Sequence, residues 1–243
     1  MIACTRLDGP AMPANVVAEC EIVDPAAIES LARTLPDAER RLAAELHAPA
    51  RRTGFLAGRL ALHAALEEAG FRASAEPIVR DERGRPVATF AGAPPLSIAH
   101  TKRRAIAIVA MPGSCAAIGV DVEEIEEEGH AHRAEALVRM AISPDELRLV
   151  QAADPALVEG PLALWCARES CVKAHALEVG WFGTALVVRA FERCAPFAEG
   201  ASGHWRLELA FEDRAPTEAP MRAPITAFAW RRDGAVFGAA VSA

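Results

Sequence analysis

The chain has no tyrosine, so phenylalanine, tryptophan and histidine are its only aromatic side chains and no phenol is available as an acid or base. It has no run of eighteen uncharged apolar residues, which excludes a spanning helix. Its opening residues, Met1 to Asp8, lack the charged-then-apolar order of a secretory leader. Six cysteines occur without a C-x-x-C pair or a neighbouring histidine cluster, which argues against zinc and suits free thiols in a reducing cytoplasm. Basic excess is missing too: the formal charge is −7, against the expectation for a dedicated nucleic-acid binder. What remains is a chain of 243 residues, long enough for one large domain or two small ones, with 52% hydrophobic residues, many of them alanine.

Periodicity divides the chain in two. Residues 1–35 read as strand-poor, with a helix from Pro25 to Thr34. Pro36 opens another helix, and Arg51 to Ala69 carries the strongest helical stripe, stopped at Gly70. Ile78 to Arg80 is a short strand followed by a turn at Gly84. Leu96 to His100 and Ala105 to Ala110 form a hairpin around Thr101 to Arg104. Met111-Pro112-Gly113-Ser114 is the best boundary, giving an N-terminal half of residues 1–112 and a C-terminal half of residues 113–243. Beyond it come a strand through Asp121, an acidic loop, a helix near His132 to Met140, and a helix whose start is written in Ser143-Pro144-Asp145-Glu146, a capping box. A helix through Trp165 follows, then strands at 185–191, 205–211, 225–230 and 235–241. Each half has a long alanine-rich helix ending in Glu-x-Gly (Glu68 to Gly70, Glu178 to Gly180) and finishes in an apolar hairpin with a basic turn. This suggests a duplicated α+β unit, although shared composition alone would also give some likeness.

Two acidic clusters carry the chemistry. In Ala117 to Glu123 the alternation puts Ile118, Val120 and Val122 on one face and Gly119, Asp121 and Glu123 on the other; Gly119 would leave that face open to a ligand. Trp165, Glu169 and Lys173 share a helical stripe, with Trp165 expected to pack inward. If the fold joins the clusters, Asp121, Glu123 and Glu169 offer oxygen ligands to one hard cation beside Lys173, a set suited to Mg²⁺ and a phosphate-bearing substrate. Taken singly, Glu169 and Lys173 also read as a surface ion pair, and Asp121-x-Glu123 as a solvated strand exit.

Four motifs in order then resemble the 4′-phosphopantetheinyl transferase superfamily: Gly84-Arg85-Pro86, Leu96 to Thr101, Ile118 to Glu123, and Trp165-x-x-x-Glu169-Ser170-x-x-Lys173. The length is similar to the surfactin-type members, pseudo-dimers of two α+β halves, and Arg51 to Arg59 looks closest to the enterobactin-type branch. The resemblance spans roughly residues 36–175. It implies transfer of the phosphopantetheine arm of coenzyme A to a serine of an apo acyl or peptidyl carrier protein, with release of 3′,5′-ADP, by a monomer whose active site lies between its halves. By the same resemblance Asp121, Glu123 and Glu169 hold Mg²⁺, Glu169 is general base, and Lys173 assists the leaving group. His100, Arg85, Arg52 and Arg59, with Lys173, contact coenzyme A. The alternative is a catalytically silent module that binds carrier protein or coenzyme A; a Mg²⁺-dependent nucleotide phosphohydrolase is a third reading. Three departures stand out: Ala99 where serine is usual, Arg168 where lysine is usual, and Ala174-His175-Ala176 in place of a Gly-Lys-Gly stretch. Lys102-Arg103-Arg104 reads equally as a docking patch for an acidic carrier or as a solvated turn.

Overall fold

Each half of the chain builds the same core unit: a strand, a long helix, then a hairpin whose second strand returns beside the first strand. The computed structural model describes residues 1–8, 12–71, 77–125, 130–175, 186–211 and 225–242. Residues 126–129 of the acidic loop and the Glu178 to Gly180 helix end lie outside those residues. In the first half, β1 (Ile2–Thr5) and β2 (Asn15–Glu21) precede α1 (Pro25–Leu31), α2 (Asp37–Ala44) and α3 (Pro49–Glu68). A small hairpin, β3 (Ile78–Arg80) and β4 (Pro86–Ala88), then leads to β5 (Leu96–His100) and β6 (Arg104–Ala110). The antiparallel sheet runs β1-β2-β6-β5. The second half comprises β7 (Ala117–Glu124), α4 (His130–Ala141), α5 (Pro144–Ala153), α6 (Gly160–His175), β8 (Leu186–Arg193), β9 (Gly203–Phe211), β10 (Ile225–Arg232) and β11 (Ala235–Ser242). Its antiparallel sheet runs β7-β11-β10-β9-β8. Thus β2, α3, β5 and β6 correspond in order and placement to β7, α6, β10 and β11, and the fold is α+β.

The strand-poor reading of residues 1–35 is corrected here: two strands lie there, and β2 is an interior strand of its sheet. Both faces of β2 are covered. Val16, Ala18 and Cys20 pack with α3, whereas Val17 faces the other sheet. A strand buried on both sides is an apolar run without alternation, so the period-two signal is absent.

The two sheets pack face to face through Val17, Ile106 and Ile108 on one side and Val120, Phe228, Trp230 and Phe237 on the other. Helix α3 covers the far face of the first sheet and α6 the far face of the second. This α/β/β/α layering needs two apolar faces on each sheet, which accounts for fully buried runs such as Ala105 to Ala110. Polar ties close the seam. Ser97 Oγ accepts from Val120 N at 3.2 Å. Glu124 Oε1 accepts from Thr101 Oγ1 at 2.5 Å and from Arg104 Nε at 3.2 Å, and Arg104 Nη2 donates to Asp233 O at 2.8 Å. Arg104 is therefore a seam residue, and only Lys102 and Arg103 of the basic turn are exposed. Among the described residues no helix is long and apolar enough to cross a membrane.

Candidate active site

The site begins with two glycines. On β7 the alternation holds: Ile118, Val120 and Val122 enter the seam, and Gly119, Asp121 and Glu123 face α6. The expectation that Gly119 leaves its face open to a ligand is overturned, because helix α6 fills that space. A Cβ at Gly119 would lie 1.9 Å from Ser170 O and 2.7 Å from Ala174 N. Gly238 on β11, opposite Asp121 in the register, does the same under Cys166, where a Cβ would lie 2.4 Å from the carbonyl carbon and oxygen. Two missing side chains on adjacent strands let the helix backbone settle directly on the sheet.

The helix is also fixed along its length. Asp154 Oδ2 accepts from Glu159 N at 2.8 Å and Gly160 N at 2.7 Å, satisfying donors at the start of α6. Arg168, 3% exposed, donates to Ala141 O, Glu146 and Leu186 O. Glu146 in turn accepts from Val188 N at 3.0 Å and closes the capping box with Ser143. Its carboxyl resists protonation: burial pushes its pKa up, but the Arg168 guanidinium and the Ser143 and Val188 amides outweigh burial, so the net shift is downward. The cation at the position where lysine is usual thus points into the fold. Replacing Arg168 with alanine strands the Glu146 carboxylate and should cost about 3–5 kcal/mol of stability, read by urea titration.

So held, α6 presents Trp165, Glu169 and Lys173 to β7. Lys173 Nζ donates to Asp121 Oδ1 at 2.6 Å, and Trp165 Nε1 donates to Glu123 Oε1 at 3.1 Å. Trp165 is half-buried, not a core residue, and it orients a carboxylate. Asp121 Oδ2 and Glu169 Oε1 are buried without a hydrogen-bond partner. Burial, then the charges of Asp121 and Glu123, push the Glu169 carboxyl up to about 7, with Lys173 opposing them. Among the described residues no three carboxylate, imidazole or thiol groups are gathered closely enough to hold a metal ion as they stand. Lys173 and Trp165 take up oxygens that a shared cation would need.

The raised Glu169 pKa has a signed consequence. An acid whose folded pKa exceeds its ordinary value binds more protons folded than unfolded, so its contribution to stability is present at low pH and lost as pH rises from about 4.5 to about 7. Between pH 5 and pH 8 the metal-free protein should lose more stability than Glu169→Gln, as measured by parallel thermal melts.

A cationic edge faces these carboxylates. His100 ends β5, and its ring lies on Gly54 of α3, where a Cβ would meet Nδ1 at 2.6 Å. Partial desolvation and the charges of Lys173, Arg51 and Arg80 hold its imidazole below the usual range. Each of the three arginines of the sequence reading has a partner within the protein. Arg52 pairs with Glu29 (Nε to Oε1 2.7 Å) beside a pocket of about 480 Å³ between α1, α2 and α3. Arg59 is 2% exposed, stacks on Phe55 at 5.1 Å, and is lowered to about 10 by burial. Arg85 Nε donates to Asp81 at 2.7 Å within its own exposed turn. The charges of Lys173, Arg51 and Arg80 are thus all felt at His100. Arg51 adjoins Arg52 in sequence; helical phase alone separates their faces, and α3 is buried so broadly that its stripe did not fix that phase.

Two family models match the chain: residues 117–215 match the 4′-phosphopantetheinyl transferase superfamily, and residues 38–110 match a 4′-phosphopantetheinyl transferase N-terminal domain. Together they span most of the chain and divide near its internal boundary. No curated protein matches it.

Proposed function

Because the chain belongs to the 4′-phosphopantetheinyl transferase superfamily, we propose that it moves the phosphopantetheine arm of coenzyme A to a serine of an apo carrier protein and releases 3′,5′-ADP. The observation that supports this most is the meeting of α6 and β7: two buried, unpartnered carboxylate oxygens, on Asp121 and Glu169, beside an ammonium already in contact with Asp121. The working unit is a monomer with halves 1–112 and 113–243, which contribute opposite walls of the site. A reducing, cytoplasmic setting suits its six free cysteines.

The donor set fits magnesium, being all oxygen and carrying a surplus of negative charge that burial leaves uncompensated. Asp121, Glu123 and Glu169 would hold the ion, which supplies neutralisation of pyrophosphate charge. The protein groups do the rest. Glu169 receives the serine hydroxyl proton as that oxygen forms its bond to phosphorus. The phosphoanhydride bond breaks, and Lys173 Nζ donates to the departing phosphate oxygen. His100, Arg51 and Arg80 hold the nucleotide phosphates, so the reacting phosphorus is positioned before the serine arrives. Lys102 and Arg103 offer exposed positive charge to an acidic carrier.

Intact-mass analysis of a panel of apo carriers, after incubation with the protein, coenzyme A and Mg²⁺, tests this reading. A gain of one phosphopantetheine per carrier, abolished by a chelator, is expected. No gain on any carrier, where an established transferase modifies the same panel, overturns it; tight carrier binding without a gain would instead support the silent module.

A further inference from the structure

Glu39 on α2 has no exposed surface. Its partners come from two other elements: Oε1 accepts from Ile78 N at 2.6 Å, at the start of β3, and both oxygens lie 3.1 Å from His63 Nε2 on α3. The β3–β4 hairpin is a separate two-stranded sheet, joined to neither large one. An isolated pair of short strands is marginal by itself, so its position must come from tethers. Ile78 and Ala88 supply the apolar tether by entering the first core. Glu39 supplies the directional one, since a charge-assisted bond from a fixed carboxylate sets both distance and angle.

That hairpin carries Arg80, whose guanidinium lies 5.6 Å from the centre of the Phe55 ring. Phe55 follows Gly54, on which His100 rests. The buried Arg59 shares the same ring at 5.1 Å, so two guanidiniums converge there, and Glu39 is the carboxylate whose charge offsets Arg59. We propose that Glu39 is a positioning residue for coenzyme A: by holding Ile78 N it sets the hairpin so that Arg80 stands at the phosphate-binding edge beside His100. The proposal rests on the transferase reading for the identity of the ligand.

Calorimetric binding of coenzyme A to the full chain tests it through a double-mutant cycle. Glu39→Ala and Arg80→Ala should each weaken binding about tenfold, the loss of roughly one charge-assisted contact, and the double variant should be no worse than either alone. In turnover the Glu39→Ala loss should fall on KM for coenzyme A and leave kcat in place, a split that general loosening of the fold would not give. Should Glu39→Ala not fold, Glu39→Asp carries the cycle: it keeps the charge but withdraws it from Ile78 N, and about threefold weaker binding, non-additive with Arg80→Ala, is expected. Unchanged affinity in the folded variant, or losses that add, overturns the proposal. Failure of the wild-type chain to modify any carrier would strike the transferase reading, while the binding cycle would still report on Glu39.

Discussion

Glu169→Gln should lower kcat by about a thousandfold, the middle of the range for losing a positioned general base. Glutamine keeps the side-chain length and fills the same space against β7, so the fold should survive. It should even gain stability above neutral pH, because the charge that Asp121 and Glu123 oppose is gone. Rates from the intact-mass assay, with thermal melts as a control, separate the two effects. A variant that keeps a tenth or more of the wild-type kcat would mean that another group takes the serine proton.

Gly119→Ala should be nearly as damaging, though residue 119 brings no side chain to the site. The added Cβ would sit 1.9 Å from Ser170 O and 2.7 Å from Ala174 N, both backbone atoms of the helix that carries Glu169 and Lys173. A backbone obstacle cannot swing aside as a side chain can, so α6 must lift from β7. Overpacking of this kind costs about 1–3 kcal/mol. A displacement of about 1 Å between the carboxylates should cost roughly a hundredfold in kcat/KM. Gly238→Ala, pressing on Cys166 from the neighbouring strand, should reproduce the loss. Gly54→Ala is the contrast: it meets only the His100 ring, which can move, so its effect should fall on coenzyme A affinity. Wild-type rates and melting for Gly119→Ala would show that α6 does not owe its seat to the missing side chain.

Much of this arrangement was legible in the sequence because it is local. The alternation of Ile118 to Glu123, the stripe of Trp165, Glu169 and Lys173, the Ser143 capping box and the β5–β6 and β10–β11 hairpins depend on neighbours a few residues apart. What escaped depends on partners distant in sequence. Strand β2 is covered on both faces and so carries no alternation. Gly119 reads as an opening until a helix is laid on it. Arg168 reads only as an arginine where lysine is usual until Glu146 and the Ala141 and Leu186 carbonyls close around it. The resemblance points to Arg52, but Glu29 on α1 holds that side chain, and it is the charge of Arg51 that is felt at His100. The helical stripe predicts that Trp165 packs inward; its indole N–H in reach of Glu123 gives it another use.

If β7 and α6 together form one cation site for phosphate chemistry, with Lys173 at its rim, metal and pyrophosphate must meet there. A crystal structure of the chain grown with coenzyme A and Mn²⁺, with anomalous data at the manganese edge, tests it most directly. A single strong peak bonded to oxygens of Asp121, Glu123 and Glu169 and to the pyrophosphate is expected, with Lys173 turned from Asp121 to a phosphate oxygen. A bound coenzyme A whose pyrophosphate lies away from these carboxylates, with manganese elsewhere and the Lys173–Asp121 contact intact, would contradict it.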